Sequence, residues 1–160
     1  MMETKRLILR PWQESDAEAL FRYASDPDVG PRAGWPPHKD VEESRSVIRH
    51  IFTNDRTWAI TLKETGEAIG CIGYYVYGES NIEIGEEDAE IGYWLAKPYW
   101  NQGICTEALL AMVDYCFNVK GVHHFMVRLL RRQPGIRTCD GEVWTCRHRQ
   151  GEHVQPSLSW

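Results

Sequence analysis

The alternation of apolar and polar positions divides the chain into short strands and two-sided helices. Arg6 to Pro11 alternates and ends on proline, predicting a first strand. Ser15 to Phe21 opens a helix, with Ser15 as N-cap and Glu18 as its capping-box partner. Gly30 to Pro37 contains Trp35-Pro36-Pro37 and is expected to be loop, because proline pairs deny helical hydrogen bonds. Val41 to Phe52 places Val47, Ile48 and Ile51 on one side of a second helix.

Beyond Asn54-Asp55 the period shortens. Residues 58–62 predict a strand, 63–67 a hairpin turn, 68–77 a long return strand, and 90–95 a fourth strand. The tyrosines 74, 75 and 77 of the return strand are assigned to the core and sheet faces. Thr106 to Phe117 is the clearest helix: Leu109, Met112, Val113 and Cys116 make an apolar stripe, and Gly121 stops it. The order is β-α-α-β-β-β-α, an α/β fold. Residues 126–160 show no clear helical or strand period.

At 160 residues the chain has the size of one domain with a genuine core. No apolar run approaches the roughly 18 residues of a membrane span, and no secretory leader opens the chain, so a cytoplasmic protein without a membrane partner is expected. Five cysteines at irregular spacing point to free thiols. A net charge of −5 gives no reason to expect nucleic acid. The charge is uneven, since residues 121–160 carry six arginines against three acids.

The chemistry concentrates in Tyr99-Trp100-Asn101-Gln102-Gly103-Ile104-Cys105-Thr106-Glu107-Ala108. A glycine-bearing loop running into a helix gathers unpaired backbone N–H groups, which suit a phosphate. The plain alternative is a helix capped by Thr106 with a glycine before it. In context, Ala89 to Leu95, then Lys97 to Gly103, then Thr106 to Leu109, resembles the strand–loop–helix motif of the GNAT acetyltransferase superfamily. The opening Thr4-Lys5-Arg6-Leu7-Ile8-Leu9-Arg10-Pro11 is similar to the branch containing the ribosomal-protein N-terminal acetyltransferases. The resemblance covers residues 4–124. It departs at Trp100 and Cys105, where the superfamily carries Gln or Arg and Gly or Ala.

The resemblance implies a mixed, mostly antiparallel sheet with flanking helices, and acetyl-CoA as cosubstrate. Pantetheine would lie along Trp94, Leu95 and Ala96. The diphosphate would sit on the backbone of Asn101, Gln102, Gly103, Ile104, Cys105 and Thr106. The Leu95 N–H would stabilise the oxyanion. The acceptor is an amine, either a small molecule or a protein N-terminus, and the oligomeric state is left open, a homodimer being one option. Glu90 is the candidate general base, or else an exposed strand-edge carboxylate. Glu83, Glu86, Glu87 and Asp88 form an acidic run before it, a solvated loop or an attractor for a cationic acceptor. Trp35 and His38 lie where this branch builds its acceptor pocket, though His38 also suits an ordinary surface loop.

After His124 the superfamily expectation is a strand, an Asn-x-x-Ser turn and a helix, and the chain departs from it. Shifting the reading frame by one base forces tryptophan from Met126-Val127, lysine or arginine from Glu142-Val143, and glycine from Trp144-Thr145. With permitted codons elsewhere, residues 126–145 re-read as WCAYFVDNPASGRVMEKCGL, the expected ending. A shift near codon 125 is therefore the working hypothesis, dividing the chain into an incomplete acetyltransferase domain (1–124) and an atypical segment (125–160). It predicts an unpaired sheet edge beyond the fourth strand and weakened turnover. The rivals are a CoA-binding but impaired homologue, and a metal- or RNA-binding tail using Cys139, Cys146, His148 and His153. Their spacing is not a common zinc pattern, so no metal is expected.

Overall fold

The computed structural model describes residues 1–80, 84–86 and 88–121, and the backbone of 124–128 and 143–147. Among the described residues one sheet holds seven strands in chain order: β1 (Met2–Glu3), β2 (Leu7–Arg10), β3 (Thr57–Leu62), β4 (Ala68–Val76), β5 (Asp88–Leu95), β6 (His124–Arg128) and β7 (Val143–Arg147). The first five pair antiparallel, β6 lies parallel to β5, and β7 returns antiparallel to β6. A parallel neighbour needs a crossover, which α4 (Ile104–Tyr115) supplies. On the other side of the sheet lie α1 (Ala17–Ala24), the single turn α2 (Gly30–Ala33) and α3 (Val41–Val47).

Two apolar layers follow. Leu7, Leu9, Ile60, Ile72 and Ile91 meet α4 through Ile104, Ala108, Met112 and Cys116, all spaced by four. Trp12, Leu20, Ile48, Cys71 and Trp94 form the layer against α1 and α3. Each large side chain so buried contributes roughly 1.5–3 kcal/mol. The pairing Ile60↔Gly70 followed by Thr61↔Ala68 leaves Ile69 as a bulge, which resets the strand phase so that Ile69 and Ile72 join the same layer.

Several sequence expectations are corrected. Gly30–Ala33 is helical because Pro31 sits in its first turn, where no N–H is needed, and Gly34 at φ 90° ends it. Ser15 caps nothing. Asp16 Oδ2 accepts the Gln13 N–H at 2.9 Å, and Arg10 grips both Asp16 oxygens at 2.7 and 2.8 Å. The second helix ends as a π-helical turn, Ile48–Phe52, and α4 continues into another, Cys116–Lys120, before Gly121 at φ 69°. Leu109 and Val113 are only partly buried, since the innermost line runs 104-108-112-116. Tyr74 is buried, whereas Tyr75 and Tyr77 are exposed.

The end of the chain also differs from expectation. Backbone at 124–128 and 143–147 is strand, so the edge of β5 is paired over Asp88–Ile91. The acidic Glu83 and Glu87 lie outside the described residues.

Candidate active site

The site begins where β5 and β6 part. Their register runs Asp88↔His124 to Ile91↔Val127, and among the described residues no further pair is formed on that edge by Gly92–Leu95. Ala96 donates its N–H to Ile69 O at 2.8 Å. Strand N–H groups alternate between edges, so those of Tyr93 and Leu95 point away from β4, toward the edge that β6 joins farther back. This places the Leu95 N–H on the edge that faces away from β4, where no strand partner lies among the described residues. The Leu95 carbonyl on that edge is already used: it accepts the Trp100 indole N–H at 2.7 Å.

A 3₁₀ turn at Lys97–Tyr99 then leads into the loop. Asn101 (φ 59°) and Gly103 (φ 71°) both adopt left-handed backbone, and Gly103 is the N-cap of α4. Among the described residues a Cβ on Gly103 would meet only Arg6 Nη2, at 3.6 Å, so glycine is required here by backbone conformation rather than by crowding. The helix starts two residues before Thr106, which is therefore not its cap. No described side chain caps it, and helical bonding begins with the Glu107 N–H on Gly103 O at 3.0 Å. The N–H groups of Ile104, Cys105 and Thr106 precede any intrahelical acceptor. Two left-handed residues before a helix mouth make a concave backbone nest suited to an anion.

Cys105 does not face that mouth. Its thiol packs beside Tyr93, and burial pushes it up to about 12 despite the Tyr93 hydrogen bond. Burial likewise raises Cys71 and Cys116 to about 12.

On the α1/α3 side of β5 the alternation places Glu90, Gly92 and Trp94 in one row. Glu90 is 5% exposed and accepts the Ser80 hydroxyl at 2.8 Å, so the exposed-edge alternative is corrected. It lies five residues from Leu95, roughly 16 Å along the strand, too far for direct hydrogen-bond contact with one shared reacting centre. Tyr75 pairs in register with Glu90, and its ring covers Gly92, where a Cβ would be 3.1 Å from Cε2. Although the side chain keeps an exposed edge, partial desolvation, with the nearby Cys71 and Glu90, raises the Tyr75 phenol. Sequence reasoning missed Tyr75 as a site residue, although the strand register could have found it opposite Glu90.

Trp94 turns its side chain into an aromatic layer rather than toward the loop. Trp12 stacks near it at 6.4 Å and Trp35 meets it edge-on at 5.8 Å. His38 lies 5.1 Å from Trp35 and shares a 2.8 Å hydrogen bond between Nδ1 and the buried Ser44 hydroxyl. Burial lowers the His38 pKa, partly offset by Glu43. Trp35 and His38 thus come together with Trp94, on the opposite side of β5 from the packing of α4. Arg32 lies over the Trp100 ring at 5.4 Å.

A family model described as an acetyltransferase (GNAT) domain matches residues 6–138. The chain belongs to the GNAT acetyltransferase family. The uncharacterised N-acetyltransferase p20 of Bacillus licheniformis is 36% identical over 121 residues, which cover 71% of this chain and 64% of that protein. The chain thus spans somewhat under two thirds of that relative. A ribosomal-protein-serine acetyltransferase of Escherichia coli is 28% identical over 98 residues, 59% of this chain and 52% of that one. Among solved structures, a GNAT-family acetyltransferase from Bacillus anthracis superposes with a TM-score of 0.65 at 24% identity, covering 79% of this chain and 71% of that chain. This likeness establishes the GNAT fold.

Among the described residues no group of three or more His, Cys, Asp or Glu could hold a metal, and no helix is long and apolar enough to cross a membrane. Cys139, His148 and His153, and the side chain of Cys146, lie outside the described residues.

Proposed function

We propose that this GNAT chain transfers acetyl from acetyl-CoA to a primary amine by direct attack in a ternary complex, in the cytoplasm. The carrying observation is the continuity of three features: the edge at Gly92–Leu95, which has no strand partner among the described residues, the left-handed loop at Asn101 and Gly103, and the first turn of α4, which no described side chain caps. Pantetheine would add along that edge as a further strand. With the Leu95 carbonyl held by Trp100, the Leu95 N–H and the Tyr93 peptide groups are the backbone partners that the described residues leave for it. The diphosphate would rest on the N–H groups of residues 101–106.

The amine nitrogen attacks the thioester carbonyl, and the Leu95 N–H receives the oxyanion. The C–S bond then breaks and CoA leaves as thiolate, which takes up the second proton that the nitrogen sheds as the amide forms. An alkylamine acceptor must first lose a proton, its ordinary pKa being about 10.4. Given its distance, Glu90 would receive that proton only through water, with Tyr75 lying between on the same face. The aromatic layer of Trp35, Trp94 and His38 would bound the acceptor pocket. The likeness to a ribosomal-protein-serine acetyltransferase makes a protein N-terminus one acceptor to test beside small amines.

The test is release of CoA thiol from acetyl-CoA across a panel of amines and N-terminal peptides, with calorimetry for CoA binding. Binding with amine-dependent release supports the proposal, and no CoA binding removes it. Binding without release would favour the second reading, an impaired homologue, which the re-reading of residues 126–145 supports. Sequencing the source gene and assaying a frame-corrected chain would separate these, since an unbroken frame with this ending in relatives removes the frame-shift hypothesis.

A further inference from the structure

Glu107 sits in the first turn of α4, where a carboxylate ordinarily turns back on the helix's own N–H groups. Here it is drawn away. Its Oε1 accepts the Thr4 hydroxyl at 2.5 Å and the Arg6 N–H at 2.8 Å, and its Oε2 accepts Arg6 Nε at 2.7 Å. Burial raises the Glu107 pKa, but Thr4 and Arg6 together outweigh it and leave the carboxyl below its ordinary value. The arginine is pinned in turn, because Lys63 donates its N–H to Arg6 O at 2.9 Å.

The same guanidinium reaches the loop. Arg6 Nη1 donates to Gln102 O at 2.9 Å, and Nη2 lies 3.6 Å from where a Gly103 Cβ would be. The 102–103 peptide is trans, so its carbonyl and the Gly103 N–H point in opposite directions. Fixing the carbonyl on Arg6 therefore aims the Gly103 N–H away from Arg6. The arginine also cancels the one carboxylate in the first turn, whose charge would oppose an anion at the helix mouth.

We propose that Arg6 is a positioning residue for the diphosphate of the cosubstrate, orienting the 102–103 peptide and neutralising Glu107. This rests on the acetyl-CoA reading and deepens it. The arrangement splits the cosubstrate into a diphosphate part that depends on Arg6 and a pantetheine part along β5 that does not.

The test uses the full chain and calorimetry with two probes, CoA and pantetheine. Arg6→Ala should weaken CoA about tenfold or more, equivalent to about 1.4 kcal/mol per factor of ten, and leave pantetheine unchanged. In turnover, KM for acetyl-CoA should rise while kcat changes little. Arg6→Lys, which keeps the charge but not the fork, should show the same selective loss and serves if Arg6→Ala fails to fold. Adding Glu107→Gln to Arg6→Ala should restore part of the CoA affinity by removing the exposed charge. Equal loss for both probes, no loss for CoA in a folded variant, or no recovery in the double variant overturns the proposal. A native chain that binds neither probe removes the acetyl-CoA reading itself, a distinct failure.

Discussion

Gly70 offers a way to move the Leu95 peptide without touching any cosubstrate. It lies on β4 opposite Leu95, and a Cβ there would stand 2.6 Å from Trp94 O and 3.2 Å from Leu95 Cα. Ordinary contact begins near 3.4 Å, so Gly70→Ala must push the end of β5 outward by roughly 0.5–0.8 Å, beyond the tolerance of about 0.5 Å for a productive site. A misplacement of this order costs up to about a hundredfold in rate. Gly73 is the matched control: its Cβ would meet Arg56 O at 2.8 Å, toward β3 rather than β5. Both alanine variants should lose about 1–3 kcal/mol of stability by overpacking, measured by urea denaturation. Only Gly70→Ala should lose kcat, by roughly ten- to a hundredfold, in the thiol-release assay. Equal turnover in the two folded variants would refute the placement of catalysis at Leu95.

Asp16→Ala removes both Arg10 contacts and the Gln13 cap. It should cost about 2–3 kcal/mol in denaturation, less than a fully buried pair because Arg10 is partly exposed. Glu90→Gln should lower kcat about a hundredfold or more with CoA affinity intact, and an unchanged kcat would exclude Glu90 as proton acceptor. Folding depresses the His38 pKa, so the unfolded chain binds the proton more readily and stability rises with pH. That contribution is complete above the ordinary imidazole value of about 6.5 and is lost as pH falls through the lowered folded value. Melts from pH 8 to 5 should therefore show a smaller acid-side loss for His38→Gln, and parallel curves would contradict this.

Local features were the legible ones. The turn at 63–67, the long β4 and the Gly103 corner follow from period and from glycine, and β5 with α4 gave the family. What escaped depends on partners distant in sequence. The Arg6–Glu107 contact joins residues 101 positions apart, and Tyr75 acquires its place only once β4 is registered against β5. The two π-helical turns and the Ile69 bulge shift phase by one residue, which a fixed period smooths over. Gln13 takes the capping place expected of Ser15, with Asp16 as its box partner, because Arg10 holds the Asp16 carboxylate beside the Gln13 N–H. Strands at 124–128 and 143–147 escaped because strand pairing depends on a neighbour more than on intrinsic pattern.

The three described thiols, Cys71, Cys105 and Cys116, are all raised to about 12. A chromogenic disulfide reagent reacts with thiolate, so these three should be almost silent toward it at neutral pH while the chain stays folded. Colour in a turnover measurement would then come from liberated CoA or from Cys139 and Cys146. A slow additional rise, independent of amine and acetyl-CoA, would be a clock for opening of the two apolar layers.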